Sequence, residues 1–268
     1  MTLPKSEIIV LKDKDWLDRQ KVAGRVVAKA HNEIYAMVKG MAGDLTLSKL
    51  NGLVEDLIRH NNCTPTFLNY RGFPATICAS LNNELVHGPG TRDIKLKNGD
   101  VLKIDIGATF EGAIGDCAVT YVYGKVTNPE IGRMLVSCQE ALHDAIKVVE
   151  PGRRIGEIGK AIWERSKQDK FGVITDFGGH GIDTDTLHAN PFIPNKSGAN
   201  EGITLQAGNS SAIEPMFVLG NNIRTKVLLD KWTVVTHDIG CHYEHSVTLD
   251  EDGNRHIITE HGISAKDF

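Results

Sequence analysis

Apolar positions in the first half of the chain predict two helices followed by strands. One stripe at helical spacing runs from about Asp15 to Gly40, and a second begins after Thr46, whose side chain suits a helix N-cap. Segments rich in Val, Ile, Thr and Tyr then alternate with turns, as strands do. They predict strands over 75–81, 101–107 and 117–123.

The same order of elements returns in the second half of the chain. Asn128-Pro129 predicts a helix start, because asparagine caps helices well and proline suits the first helical position. Pro151-Gly152 predicts the end of this helix, and another helical stripe begins at Ile155. Strand patterns follow over 210–217, 233–236 and 242–249.

Two matches between the halves indicate an internal repeat. The apolar stripe at 47–54 matches 155–162 at an offset of 108, and the motif L-x-x-G-[DN] at 96–100 returns at 205–209, at an offset of 109. In both copies an isoleucine and a carboxylate follow, namely Asp105 and Glu214. The alternative is that two strands share turn chemistry by chance. A repeat predicts an α+β fold of two similar halves whose strands meet, with both carboxylates near a pseudo-twofold axis.

Composition places the chain among ordinary globular proteins. Its 268 residues are 41% hydrophobic and 24% charged, and the formal net charge of −4 lacks the basic character of a nucleic-acid-binding domain. The five cysteines show no C-x-x-C spacing, so we expect neither a disulfide framework nor a zinc knuckle. The apolar run at 8–11 is too short for a signal peptide or a membrane span, which predicts a cytoplasmic location.

Two aspartates flank a predicted hairpin. A turn near Glu111-Gly112 would bring the carboxylates of Asp105 and Asp116 together. Aspartate pairs at this spacing are common in proteins without any site, so the pair gains weight from Glu214, which matches Asp105 in the repeat. Unpaired carboxylates inside a protein are costly, and a cation would offset that cost.

Two more residues of metal-binding types lie in the second half. Glu244 interrupts an apolar strand pattern, and His180 lies in the run G-G-H-G, where glycines leave the ring accessible. The alternative for His180 is an ordinary loop histidine. Four carboxylates and one imidazole suit two divalent ions such as Mn, Fe, Co or Zn. Two neighbouring ions can share a water and lower its pKa, so the set predicts metal-assisted hydrolysis.

These residues and their surroundings resemble the methionine aminopeptidases, metallopeptidases with the pita-bread (creatinase/aminopeptidase) fold, over about 15–259. The runs N-Y-R-G-F-P at 69–74 and S-L-N-N-E-L-V-H-G at 80–88 are similar to the family signature. Its other motifs match L-K-I-D-I-G at 102–107, G-G-H-G-I at 178–182, I-E-P-M at 213–216 and Y-E-H-S-V at 243–247. With no long insertion in its second half, the chain resembles the short type I form.

The resemblance implies a site for two divalent metal ions, chosen from Co, Mn, Fe and Zn. Asp105 would chelate one ion, while Asp116 and Glu244 would bridge the two. His180 and Glu214 would complete the other ion. Glu214 would also serve as the general acid/base of the reaction.

The resemblance also implies contacts with the substrate. His87 would contact the scissile amide nitrogen and His188 the carbonyl oxygen. The methionine side chain would be held by Tyr70, Phe73, Cys78 and Leu187, with Trp232 as a further candidate. His188 follows His180 by eight residues where the family usually has seven. We expect a one-residue bulge over 183–186 that keeps His188 in its place; the alternative is a redirected loop that points His188 to solvent.

The implied activity is removal of the initiator methionine from nascent proteins with a small second residue. It implies work near the ribosome exit by a monomer, without nucleic-acid or membrane partners. We expect an N-terminal extension at 1–14 and one catalytic domain at 15–268, with halves at 15–124 and 125–259. The alternatives are a proline-directed peptidase of the same fold, which generally carries an extra domain, and a metal-free binding module, which does not need all five ligand residues.

The remaining histidines show no pattern that indicates a site. His31, His60 and His143 lie on predicted helices and are expected at the surface or at caps. No partner pattern is found for His237, His242, His256 and His261.

Overall fold

Nearly all of the chain is described by a computed structural model, which covers residues 9–41, 43–126 and 128–268. Most of the predicted N-terminal extension, residues 1–8, lies outside the described residues. None of the helices in the three described ranges combines the length and the apolar character that a membrane span needs.

Four helices form where the apolar stripes predict them. They are α1 (Lys14–Lys39), α2 (Leu47–His60), α3 (Pro129–Lys147) and α4 (Ile155–Asp169). The side chains of Asp13, Thr46 and Asn128 accept hydrogen bonds from backbone N–H groups just inside α1, α2 and α3, at 2.8, 3.2 and 3.0 Å. These caps satisfy donors that a helix start leaves unpaired, which explains where the three helices begin.

The strands of the described residues pair only in antiparallel fashion. They are β1 (Thr64–Pro65), β2 (Ile77–Leu81), β3 (Glu84–Val86), β4 (Asp100–Phe110), β5 (Ala113–Tyr123), β6 (Gly172–Val173), β7 (Gly178–Asp183), β8 (Thr186–Pro194), β9 (Ser210–Ile213), β10 (Met216–Val218), β11 (Lys226–Val227), β12 (Val234–Val235), β13 (Gly240–His242), β14 (His245–Leu249) and β15 (Arg255–Ile257).

Two predicted strands are in fact divided. The segment predicted over 210–217 breaks at Glu214-Pro215 between β9 and β10, and the segment predicted over 242–249 breaks at Tyr243-Glu244 between β13 and β14. Proline has no N–H to donate to a ladder, which accounts for the first break. Each break releases a glutamate from the regular alternation of a strand.

Two large sheets meet beside the hairpin formed by β4 and β5. β4 pairs with β5 on one edge and with β1 and β2 on the other, while the second sheet has the order β15-β14-β9-β7-β8. Where β5 approaches β14, the Ser246 hydroxyl donates to the carbonyl of Asp116 and accepts from its N–H, both at 2.9 Å. This double hydrogen bond joins the two halves of the molecule next to Asp116.

Helix α1 covers one face of the hairpin at very short range. A methyl group added to Gly115 of β5 would lie 2.8 Å from the backbone nitrogen of Gly24 in α1, so the absence of a side chain lets the two backbones approach. Apolar stripes from all four helices join the same buried cluster, including Ile34, Leu50 and Leu135. Burial of this cluster fixes the position of the hairpin on the helices.

The repeat predicted from the two motifs is present in three dimensions. Residues 46 and 95 form an isolated antiparallel bridge, and residues 154 and 204 form its counterpart. Both copies of the L-x-x-G-[DN] motif make the same turn: Asp100 accepts from the N–H of Lys97 at 2.8 Å, and Asn209 accepts from that of Gln206 at 2.6 Å. The two halves therefore share local hydrogen bonding as well as sequence.

Candidate functional site

The β4–β5 hairpin brings Asp105 and Asp116 together on one face. Its two-residue turn, Glu111-Gly112, has φ values of 46° and 81°, which suit the right-handed twist of a tight hairpin. The register pairs Asp105 with Ala118 and Gly107 with Asp116. The two aspartates are thus diagonal neighbours across the strand pair, within reach of each other's side chains.

The strand breaks deliver Glu214 and Glu244 to the same place. Glu214 follows β9 and Glu244 precedes β14, and these two strands pair directly. The N–H of Glu244 donates to the carbonyl of Ala118 at 2.9 Å, and the Asn195 amide donates to the carbonyl of Glu214 at 3.1 Å. Both glutamates are therefore held by their backbones at the edge of the hairpin.

His180 lies within β7 rather than in a loop, and it is buried. Its Nδ1 donates to the carbonyl of Gly181 at 3.0 Å, so Nε2 keeps its lone pair. Nε2 lies 3.8 Å from Oδ2 of Asp116 and 3.6 Å from Oε1 of Glu214. Burial lowers the pKa of His180 to about 4, which keeps the ring neutral, the form that binds metals.

The four carboxylates lie close together in a buried site, where their ionised forms are unfavourable without a cation. Burial, together with neighbouring carboxylates, raises the pKa values of Asp105, Glu214 and Glu244 well above the usual range, and burial raises that of Asp116 to about 7. Among the described residues, Oδ1 of both aspartates and Oε1 of Glu244 have no hydrogen-bond partner. Buried, unpartnered oxygens of this kind fit a bound divalent cation, which would neutralise and coordinate them.

These side chains open into a cavity of about 170 Å³. It is lined by every side chain that the sequence predicted for the site: Tyr70, Phe73, Cys78, His87, Asp105, Asp116, His180, Leu187, His188, Glu214, Trp232 and Glu244. At its apolar end the rings of Phe73 and Trp232 meet edge to face, with centroids 5.2 Å apart. The cavity therefore joins a polar, acidic end to an aromatic one.

His87 has an unusual backbone conformation directly after β3. Its φ of 60° lies in the left-handed region, which is unfavourable for a residue with a side chain. The ring packs edge to face on Phe177, with centroids 5.8 Å apart. Strained positions of this kind are often found at functional sites, because surrounding packing must hold them.

Irregular backbone separates His180 from His188, although the register shifts lie in β7 and not over 183–186. The β7–β8 pairing shifts register twice between His180 and Asp183, and Asp185 adopts a φ of 51°. The ring of His188 reaches the cavity, 4.5 Å from the ring of His180 between centroids, and its Nδ1 lies 3.1 Å from the hydroxyl of Tyr70. His188 therefore borders the cavity while it is also exposed to solvent.

Four further residues line the cavity that were not predicted from the sequence, namely Phe67, Arg71, Val86 and His242. The sequence shows no partner pattern for His242, yet its Nε2 lies 3.3 Å from Oε2 of Glu214 and 3.9 Å from Oε2 of Glu244. Burial lowers the pKa of His242 to about 3. Its position two residues before Glu244 was the available signal, because alternate residues of an extended chain share a face.

The expectation for His31 was also wrong, because this helical residue is fully buried. Its Nδ1 lies 2.8 Å from the hydroxyl of Tyr121, and its Nε2 lies 3.0 Å from the carbonyl of Cys117. His31 therefore links α1 to the hairpin from the side of the helices. His60, in contrast, is exposed as expected.

Comparison with known proteins connects this site to one family. A family model described as metallopeptidase family M24 matches residues 18–251. The chain is 40% identical over 248 residues to the methionine aminopeptidase of Mycoplasma capricolum subsp. capricolum, covering 92% of this chain and 96% of that protein. It is 38% identical over 252 residues to methionine aminopeptidase 1 of Mycobacterium tuberculosis, covering 91% and 92%.

Solved structures agree with these relatives. The crystal structure of methionine aminopeptidase from Thermotoga maritima matches with a TM-score of 0.88 and 33% identity, over 94% of this chain and all (100%) of that one. The prolidase from Pyrococcus furiosus matches with a TM-score of 0.71 and 20% identity, over 94% of this chain and 65% of that one, which shows a shared fold alone. The predicted pita-bread architecture is confirmed, and the chain belongs to metallopeptidase family M24.

Proposed function

We propose that the chain is a metal-dependent aminopeptidase that removes an N-terminal methionine followed by a small residue. The observation that carries this proposal is a cavity in which five side chains of metal-binding types face an aromatic, apolar wall. The relatives named methionine aminopeptidase support methionine as the residue removed. A proline-directed activity has only a shared fold at 20% identity in its favour. A metal-free module leaves the buried carboxylate oxygens without a role.

We propose that two divalent ions, chosen from Co, Mn, Fe and Zn, are held by Asp105, Asp116, His180, Glu214 and Glu244. Two groups of closely spaced ligand atoms lie in this region, one that includes Asp116 and His180 and one that includes Glu214. Glu244 belongs to both groups, so it could serve both ions. Ions at such a site lower the pKa of a shared water and stabilise the charge that develops on a scissile carbonyl.

The protein's own groups would handle the proton and the developing charge. The carboxylate of Glu214 would take a proton from the attacking water and pass it to the leaving amine. The Tyr70 hydroxyl can donate to Nδ1 of His188, which leaves the proton of that ring on Nε2. His188 would then donate to the carbonyl oxygen, and His87 would contact the amide nitrogen.

The aromatic end of the cavity suits the methionine side chain. Tyr70, Phe73 and Trp232 present ring faces and edges there, and Cys78 and Leu187 complete an apolar wall. A flexible thioether fits irregular apolar space and makes favourable contacts between sulfur and aromatic rings. A lysine or aspartate side chain would lose its hydration in the same space without gaining a partner among these five residues.

The cellular setting follows from the substrate that we propose. Newly made polypeptides carry the initiator methionine, so we propose nascent chains near the ribosome exit as the substrate, in the cytoplasm, and a monomeric enzyme. We further propose that residues 15–268 act as one catalytic domain.

A peptide assay tests the proposed function directly. Met-Ala-Ser should lose methionine at least about a hundredfold faster than Lys-Ala-Ser and Asp-Ala-Ser lose their first residues, because only methionine fits the apolar wall. Release is measured by mass spectrometry with Mn²⁺ or Co²⁺ present, and a chelator should stop it. Equal cleavage of all three peptides, or cleavage confined to peptides with proline in second position, would contradict the proposal.

Replacing His188 by alanine should lower kcat for Met-Ala-Ser by roughly a hundredfold, because a donor aimed at the developing oxyanion is lost. Metal content should stay at the wild-type level, since His188 is not among the proposed ligands. His60→Ala is the matched control, because His60 is exposed. A decrease of less than about threefold, with metal still bound, would show that His188 does not act on the substrate.

A further inference from the structure

We propose that His242 is an additional metal ligand, which joins Glu214 and Glu244 on one of the two ions. This inference rests on the proposed metal site and adds a sixth protein ligand to its five. His242, Glu214 and Glu244 each offer an atom within 4.8 Å of the other two. All three residues are buried, so solvent does not compete freely for these atoms.

The backbone of His242 is clamped so that its ring is held in place. Its N–H donates to the hydroxyl of Thr120 at 2.9 Å, and its carbonyl accepts from the same hydroxyl at 2.7 Å. β13, which ends at His242, also pairs with β10, opposite Met216. These contacts fix the backbone from which the ring projects, and a fixed backbone helps to pre-organise a metal ligand.

The ring nitrogen that faces the carboxylates has no hydrogen-bond partner among the described residues, although it is buried. Leaving such a buried nitrogen without a partner is unfavourable. Nε2 of His242 lies 3.3 Å from Oε2 of Glu214, but the two atoms are not aligned for a hydrogen bond. When two ligand atoms bind the same zinc-like ion, each at about 2.0–2.2 Å, the two atoms lie about 3.0–3.6 Å from each other. The spacing of His242 and Glu214 matches ligands that share a cation.

A second imidazole would also change which metal the site prefers. With His180 and His242 lying on either side of Glu214, at 3.6 and 3.3 Å, the site offers two nitrogen donors instead of one. Imidazole suits Zn²⁺, Co²⁺ and Fe²⁺, whereas Mn²⁺ binds mainly oxygen ligands. His242 should therefore favour zinc over manganese at this site.

Nuclear magnetic resonance of the ¹⁵N-labelled histidines tests ligation without any variant. On addition of two equivalents of Zn²⁺ to metal-free wild-type protein, the Nε2 resonances of both His180 and His242 should move to metal-bound positions. Assignment through the backbone identifies each ring. If the His242 resonance keeps its free-ring position in zinc-saturated protein while His180 moves, the inference is wrong.

A glutamine variant separates ligation from simple hydrogen bonding. His242→Gln keeps a side-chain donor for Glu214 but removes the imidazole, so Zn²⁺ affinity should fall about tenfold to a hundredfold. Mn²⁺ affinity should change less than about threefold, so the zinc-to-manganese preference should fall accordingly. His237→Gln is the matched control, because the His237 side chain is 71% exposed. Wild-type zinc affinity in His242→Gln would overturn the inference, and His242→Asn replaces this variant if it does not fold.

The outcomes distinguish this inference from the proposed function. Wild-type protein that cleaves Met-Ala-Ser while His242 keeps its free-ring resonance would overturn the inference and leave the function in place. Wild-type protein in which zinc shifts His242, but which releases no methionine with any of the four metals, would overturn the function and leave the additional ligand.

Discussion

Replacing Glu244 by glutamine should lower kcat for Met-Ala-Ser by about a thousandfold or more, even at saturating metal. Glu244 is buried and belongs to both closely spaced ligand groups, so one neutral amide weakens the binding of both ions. Asp116→Asn should act in the same direction, because Asp116 shares the group of His180 and Glu244. Turnover and metal content after gel filtration are the two measurements.

The glutamine variant also carries its own check that the fold is intact. Burial and neighbouring carboxylates raise the pKa of Glu244, which means that its ionised form is disfavoured without metal. A neutral amide of the same shape removes that repulsion, so the metal-free variant should unfold at a higher temperature than metal-free wild-type protein. Glu33→Gln, on the exposed side of α1, is the control. Wild-type turnover by Glu244→Gln would contradict the metal site.

Most of the frame of the site could be predicted from local sequence signals. The caps Thr46 and Asn128 fix helix starts because their hydrogen bonds involve residues only two or three positions ahead. The same locality explains the success at the hairpin, since the turn at Glu111-Gly112 alone sets which residues of β4 and β5 face each other. Asp105 and Asp116 could be placed together for that reason.

The two strand breaks and the position of His242 depend on contacts between residues that are distant in sequence. The strands predicted over 210–217 and 242–249 break because their continuations pair with different neighbours: β9 and β14 pair with each other, whereas β10 and β13 form another sheet with β6. His242, at the end of β13, lies near Glu214, which precedes β10 and is distant in sequence. The spacing of His242 from Glu244 hints that they share a face, but its approach to Glu214 depends on the pairing of β10 with β13.

His31 shows the same limit from the side of the helices. It lies four residues after Val27 and three before Ile34, on the buried face of α1, and it is buried against Tyr121 and Cys117. An imidazole can be buried when both ring nitrogens find partners, and here those partners come from β5. The apolar stripe of α1 gives no information on that, because the partners lie on another element.

Removing the metal should destabilise the protein more at higher pH. In the metal-free fold, burial raises the pKa of Asp116 from 3.8 to about 7, and burial together with neighbouring carboxylates raises those of Asp105, Glu214 and Glu244 well above their usual range. The unfolded chain releases the same protons near pH 4. The folded form therefore binds more protons than the unfolded form between about pH 4 and pH 7 or above, so its stability falls as pH rises through this range.

The four carboxylates lie together and share this effect, so the loss belongs to the whole site. We expect it to lower the Tm of the metal-free protein by about 5–15 °C for a chain of this size. Divalent ions bind the ionised carboxylates and displace their protons, so the metal-loaded protein should not show this loss. Buried neutral histidines such as His31 have the opposite effect: below about pH 6.5 they make the fold less stable as pH falls. This effect is the same in metal-free and metal-loaded protein, so it cancels in the Tm difference between them.

The measurement is thermal unfolding of metal-free and Mn²⁺-loaded protein at pH 5.5 and pH 7.5, at one fixed free metal concentration. The Tm difference between the loaded and metal-free forms should be larger at pH 7.5, by about 5–15 °C. At that pH the metal-free fold must keep its four carboxylates protonated, whereas the unfolded chain has released the same protons. In metal-free Glu244→Gln the dependence on pH should be weaker, since one raised pKa is gone. A Tm difference that is equal at both pH values, or larger at pH 5.5, would mean that these carboxylates are not the groups that the metal neutralises.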